Sequence, residues 1–500
     1  MDLATLLSYP WHIMAPEFTI LIVATLLSLI DLSMKKNANR NALGWIAVLG
    51  VIVALVFALR QVGQPVQMIL HETYRLDSFA IAFKIILLIG TLFVLLMGID
   101  YSKEQLKFRG EFFYLLLTGL LGGMIVTSSA DLITLFVGLE LLSFSSYILA
   151  GLRKQNLQSN ESAFKYIVNG GIASAITLFG MSYVYGLTGE TNLFAIADAL
   201  QNPVVLENQF LVIFSFFLIF VGLSFKIASA PFHMWAPDVY QGAATPVTAF
   251  LSVVSKTAGF AIILRVMVIV FGSVPGLSLL SPLLVDMQTY IAVLAALTMI
   301  IGNIMALRQT NVKRLFAYSS VAQAGYILVP FASLNVLMLE NVWFYLFVYL
   351  FMNLGAFVVI QIVTQETGSE DIKSFAGLYR RSPILAVFMA IFLVSLAGIP
   401  PAAGFMAKFY IFVGAISTEQ YVLAAIMIAT SVISYFYYFS ISTQMFFRPA
   451  EQEDPIRVKT GLWNVLVLSV IAVVVMGIFP EVILDFFNAN LNLNDMMDRI

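Results

Sequence analysis

The chain has 500 residues, 60% of them hydrophobic and 11% charged, with a formal net charge of -2 and a mean hydropathy of +0.94. A soluble domain carries about 25% charged residues, so this composition describes an all-α polytopic membrane protein in a lipid bilayer and gives no basic patch for a nucleic-acid partner. The absence of cysteine excludes disulfides, zinc–thiolate sites and cysteine-ligated iron–sulfur clusters.

Apolar windows of about 20 residues mark spanning helices. They predict fourteen spans, at 17–33, 43–60, 78–99, 111–128, 131–150, 161–186, 209–241, 245–271, 288–306, 312–331, 341–364, 383–417, 421–446 and 461–484. The first begins after Asp2 with no basic leader, so it reads as a retained span. The seventh and twelfth are too long for one straight crossing. Each contains proline, which removes a backbone donor and clashes with the preceding turn. Breaks are therefore expected at Pro231 and at Pro400, Pro401 and Gly404.

Orientation follows from the connections, because cytoplasmic loops concentrate Lys and Arg. The odd-numbered connections hold Lys35, Lys36, Arg40, Lys103, Lys107, Arg109, Arg153, Lys154 and Arg308. They also hold Lys313, Arg314, Lys373, Arg380, Arg381, Arg448, Arg457 and Lys459, against Arg60, Arg75 and Arg499 on the other side. Both termini are expected to be extracytoplasmic. Residues 1–110 read as a three-helix segment, 111–272 and 273–446 as two five-helix repeats, and 447–500 as a last span and tail. A five-helix unit duplicated in tandem must insert upside down, which gives inverted repeats. Lys226 and Lys408, each on the broken fourth helix of its unit, would then be pseudo-symmetric.

Apart from those at span ends counted with the connections, six basic residues fall inside spans. Charge at bilayer depth costs several kcal/mol and marks ion pathways. Lys226 stands five residues before Pro231, Lys256 near the centre of the eighth span, and Lys408 just past the second break. Glu140 is the carboxylate nearest mid-span, with Ser143 and Tyr147 on its helical face. A Glu140–Lys226 pair would keep both groups charged when closed and free the lysine to release a proton when open. Thr248, Ser252, Ser255 and Gly259 give Lys256 a small, hydroxylated surrounding. Lys165, near the start of the sixth span, can relay or reach the interface; Lys84 and Arg265 lie toward span ends, where snorkelling is expected. Asp238 and His233, beside the first break, can support structure or pass protons. Gln323 can order water but cannot titrate. These features point to a proton-translocating subunit.

His12, His71 and His233 are too few for a haem or multi-histidine metal site, and no Gly-rich nucleotide cradle occurs. Redox chemistry is therefore expected on other subunits.

The stretches FKIASAPFHMWAPDVYQGAATPVTAFLSVVSKTAGF, KRLFAYSSVAQAGYIL, YLFMNLGAF and LAGIPPAAGFMAKFYIF together resemble the antiporter-like membrane subunits of respiratory complex I. The resemblance runs over essentially the whole chain. The opening PEFTILIVATLLSLIDL and a lysine rather than glutamate at Lys408 are most similar to one of the three related types. It implies a proton relay of Glu140, Lys226, Lys256 and Lys408. Relatives often carry histidine where this chain has Gln323, so water is expected to bridge Lys256 and Lys408 here. It also implies that NADH, flavin, iron–sulfur clusters and quinone bind elsewhere in the complex. Other antiporter-like and small membrane subunits would be partners, in a bacterial cell membrane. A subunit of a multisubunit sodium/proton antiporter and a non-conducting scaffold are the competing readings.

Overall fold

A computed structural model describes residues 7–35, 39–101, 109–276, 281–450 and 454–498. Asp2, Lys36, Lys103, Lys107 and Arg499, which entered the sequence argument, lie outside the described residues. The first helices are α1 (Ala15–Ser33), α2 (Asn41–Arg60), α3 (Ser78–Asp100), α4 (Arg109–Ser128), α5 (Leu132–Ala150) and α6 (Leu157–Thr188). The seventh span is α7a (Gln209–Ile227) and α7b (Trp235–Gly242), followed by α8 (Thr245–Val270), α9 (Leu283–Ala306), α10 (Val312–Ser333) and α11 (Met338–Thr367). The twelfth is α12a (Pro383–Ala397) and α12b (Ala403–Ser417); α13 (Tyr421–Phe447) and α14 (Thr460–Ile478) complete the bundle. Thirteen helices among the described residues are long and apolar enough to cross a membrane, and α12 crosses as two halves of 15 residues.

Local signals explain the ends. Asp77, Asp131, Asn156 and Asn311 each turn a side-chain oxygen onto the first free N–H groups of α3, α5, α6 and α10. One short hairpin, β1 (Gln67–Ile69) against β2 (Tyr74–Leu76), fills the connection between α2 and α3.

The interior is formed by α8, α10 and α11, enclosed on nearly all sides, while α1 and α6 leave broad apolar faces outward. The least apolar of the thirteen, α10, is also the most enclosed, packed on α9, α7b, α11, α12b and α13. Its Ser319, Ser320 and Gln323 therefore meet protein groups instead of lipid. In α8, two π-helical turns, at Leu251–Ser255 and Val266–Val270, bracket the segment Lys256–Arg265. The sequence pattern gave no sign of them.

Lys84 and Arg265 do not snorkel. Lys84 is fully buried, its Nζ 2.6 Å from Glu17 Oε1 and 2.8 Å from the Tyr74 hydroxyl. Arg265 donates to both Asp77 oxygens, at 2.9 and 2.8 Å, and Arg75 Nε adds a third donor at 3.1 Å. Arg75, which read as a loop residue, is equally buried and also donates to the Asp495 and Asp498 carbonyls. Burial is tolerated because each charge has an opposite charge or several dipoles at contact. Asp77→Ala would leave two guanidinium groups facing each other without a carboxylate. The expected cost is about 3–5 kcal/mol, seen as a lower unfolding temperature or loss of the subunit from purified membranes; unchanged thermal stability would refute it.

Candidate proton path

Each break has a left-handed residue where the helix stops. Ala228 (φ +58) ends α7a, and Gly398 (φ +81) ends α12a. The first break is stitched both from within and by a neighbour: Trp235 Nε1 of α7b donates to the Phe225 carbonyl of α7a, and the Ala230 N–H to Thr298 Oγ1 of α9, both at 3.0 Å. The second is stitched from within, the Gly404 N–H donating to Ser395 Oγ at 3.0 Å. Pro231, Pro400 and Pro401 lie exposed at the surface of the two breaks.

Lys226 occupies the last turn of α7a, buried, with Nζ donating to Ser143 Oγ on α5 at 3.1 Å. Glu140 lies one turn before Ser143 and is half-buried; its carboxylate accepts the Ser174 hydroxyl of α6. Among the described residues no direct ion pair joins Glu140 to Lys226; in contact with each is a serine.

Lys256 follows directly on the first π turn of α8. Its Nζ donates to the Ser320 carbonyl at 2.6 Å and to the Ser320 hydroxyl at 2.5 Å, and the Tyr240 hydroxyl lies 3.4 Å from that same hydroxyl. Lys408 points back into its own break. There Nζ donates to the Leu396 and Ala397 carbonyls, at 3.1 and 3.0 Å, and sits 4.5 Å from the centre of the Tyr326 ring. Carbonyls at a helix C-terminus have no partner in the helix and carry partial negative charge, which suits an ammonium. Gly398 is required there twice over: its φ is positive, and a Cβ on it would come within 2.8 Å of Lys408 Cδ.

The two lysines thus differ in position. Lys226 precedes its break and bonds another helix, whereas Lys408 follows its break and caps it. A symmetric placement about the breaks, expected from the repeat, is not what the side chains adopt.

Gln323 comes close to Lys408 through a shared acceptor. Its Nε2 donates to the Leu396 carbonyl at 3.1 Å, the acceptor it shares with Lys408. Beyond the first break, Asp238 bridges Lys165 Nζ (2.6 Å) and Arg314 Nη1 (2.5 Å), tying α6 to α10. Lys165 also pairs with Glu161 and is part-exposed. His233 lies in the first break, its carbonyl accepting the Ala236 N–H at 3.0 Å. Glu140, Lys226, Lys256 and Lys408 thus sit on α5, α7a, α8 and α12b.

A family described as NADH:quinone oxidoreductase/Mrp antiporter, TM, matches residues 129–434. The chain is 56% identical to NADH-quinone oxidoreductase subunit N of Anoxybacillus flavithermus over 500 residues, covering 99% of this chain and 100% of that protein. This chain belongs to the NADH-quinone oxidoreductase subunit N family. Subunit N of a Geobacillus strain is also 56% identical, over 96% of this chain and 98% of its own length. A chain of respiratory complex I from Thermus thermophilus with bound aureothin is 29% identical, with a TM-score of 0.77 over 94% of this chain and 98% of that one. A chain of the Mrp complex from Dietzia superposes better, at 0.84 over 98% of each, but is only 19% identical. That likeness speaks for a shared fold alone.

For this subunit N relative, sequence reasoning missed Ser174, Ser320 and the Leu396 carbonyl, which hold Glu140, Lys256 and Lys408. Although it set the tenth span to begin at residue 312, it also counted Lys313 among the loop cations. The structure buries its side chain completely, 2.8 Å from Glu370 Oε1 and 2.8 Å from the Ala243 carbonyl. Arg153 Nη2 donates to the adjacent Gly242 carbonyl at 2.6 Å, so two cations clasp the junction of α7b and α8. The available signal was Asn311 two residues before Lys313, which marks a helix start.

Proposed function

We propose that this chain is a proton-translocating, non-redox membrane-arm subunit of a bacterial NADH-quinone oxidoreductase. Protons move outward through Glu140, Lys226, Lys256 and Lys408, driven by quinone reduction elsewhere in the complex. The observation that carries this reading is the row of three buried lysines, each held by hydroxyls or carbonyls without a carboxylate in contact. An ammonium so held is desolvated yet unpaired, and can exchange its proton when its surroundings change. Opposite charges in contact, as at Asp77 and Glu17, would instead fix the charge.

On this reading NADH, flavin, iron–sulfur clusters and quinone sit on other subunits, and the partners are antiporter-like and small membrane subunits. Residues 111–272 and 273–446 form the two inverted units, supported by the left-handed stop and break that each contains. A scaffold gains nothing evident from burying three such lysines. The antiporter reading is separated by co-purification. The complex should carry NADH-oxidising subunits; recovery with membrane subunits alone would favour the antiporter.

Both termini face away from the cytoplasm. Lys373 is exposed at the surface between α11 and α12a, and Val336 is exposed between α10 and α11. In this cysteine-free chain, Lys373→Cys should react with an impermeant thiol reagent only after lysis, and Val336→Cys in intact cells. The reverse pattern would invert the topology.

A further inference from the structure

Lys408 rests on an aromatic ring as well as on backbone. Its Nζ meets the Leu396 and Ala397 carbonyls and the face of Tyr326, 4.5 Å from the ring centre. Arg75, Lys84 and Arg265 also lie over rings, but each of them has a carboxylate in contact. Among the described residues Lys408 has none. An aromatic face attracts a cation through its quadrupole, most strongly where water is excluded. It has no comparable hold on a neutral amine, and it cannot take the proton.

The ring is itself anchored. The Tyr326 hydroxyl accepts from Asn303 Nδ2 of α9 at 3.2 Å and donates to Thr430 Oγ1 of α13 at 3.3 Å. Asn303 is fixed in turn: Nδ2 also donates to the Met299 carbonyl at 2.8 Å, and Oδ1 accepts the Tyr437 hydroxyl at 3.0 Å. Helices α9 and α13 thus hold the ring of α10 by its hydroxyl end and leave a face to the ammonium. Such support matters because the lysine has room to swing away. A cavity of about 250 Å³ adjoins it between α12b and α13, lined among others by Phe405, Met427, Ser431 and Tyr435.

We infer that Tyr326 is a positioning residue whose ring face keeps the charged Lys408 at its helix break without competing for its proton. This rests on the proton-translocating reading given above. The test starts from Tyr326→Phe, which keeps the face. Phenylalanines bearing one, two and three ring fluorines are then placed at the same position by nonsense suppression. Fluorine draws electron density from the face and barely changes the size of the ring, so it weakens the hold on a cation and little else. In the assembled complex, NADH-driven proton uptake into inverted vesicles should be largely kept in Tyr326→Phe. It should then fall by about tenfold along the series, in the order of fluorine number, as a desolvated cation–ring contact is lost. Assembly on native gels should not change. A merely structural ring predicts a level series, because its shape is kept. Fluorotyrosines, which retain the hydroxyl, carry the same test if Tyr326→Phe fails to assemble. Uptake that is level along the series, or that does not follow the number of fluorines, overturns the inference. Lys408→Ala is measured alongside. If it pumps normally, the translocation reading itself fails at this station, whereas loss there with a level fluorine series rejects only Tyr326.

Discussion

Lys226→Arg is expected to assemble with its complex and keep its positive charge, yet to slow proton-coupled turnover by about tenfold or more. Lysine shifts its affinity for a proton readily when buried, whereas arginine effectively never deprotonates. The single hydroxyl contact at Ser143 stabilises the ammonium without neutralising it. A station of that kind works only if the proton can leave. The pocket also fits a lysine stem closely, since a Cβ on Gly259 would lie 3.2 Å from Lys226 Cγ. Size is therefore controlled by a second variant, Ser143→Ala, which removes the acceptor and adds no bulk. It should reduce turnover less than Lys226→Arg and leave assembly intact on native gels. The measurement is quinone-dependent NADH oxidation beside proton uptake. A normal proton-to-electron ratio in assembled Lys226→Arg would favour a fixed charge over a relay.

Lys408→Ala should also assemble and also lose coupled turnover by about tenfold or more. The break it caps has other supports, among them the bond from the Gly404 N–H to Ser395 Oγ and the left-handed turn at Gly398. What disappears is the one cation facing the Leu396 and Ala397 carbonyls. Lys408→His keeps a donor and a titratable group, and should restore part of the activity near neutral pH. The resemblance, with glutamate at this position in a related subunit type, suggests that any titratable group would serve. The contacts argue otherwise, because an ionised carboxylate would face two carbonyl oxygens with no proton to offer them. Lys408→Glu is thus expected to restore less than Lys408→His. If assembled Lys408→Ala pumps with the normal ratio, the lysine stands outside the path.

Much of this was legible in the chain. Apolar length and proline marked every span and both breaks, because a bilayer imposes a fixed crossing length. Burial was also legible: Lys256, near the centre of its span, and Lys408, just past the second break, were both read as lying inside the bundle, and both are buried. Partners were not. Lys84 and Arg265 read as snorkelling because Glu17 and Asp77 approach them only through the tertiary fold, from 67 and 188 residues away. Glu140 and Lys226 were matched by charge; the hydroxyls that hold them, Ser174 of α6 and Ser143 of α5, come from other helices and were not matched to them.

The π turn before Lys256 has a consequence for chain length. An α-helix advances 100° and 1.5 Å per residue, and a π turn accommodates one residue more than an α turn. In α8 that surplus lets two faces be satisfied at once. Upstream, Thr248 Oγ1 donates to the Tyr240 carbonyl at 2.9 Å and Ser252 Oγ accepts from Asn353 Nδ2 at 2.8 Å; downstream, Lys256 reaches Ser320. Deleting Val254 removes no polar group, yet it lets the helix close into a regular spiral. The upstream face would then turn by about 100° relative to the lysine, so that one set of bonds could form only at the expense of the other. The lysine's aim is written in the spacing of the helix as much as in the residues around it.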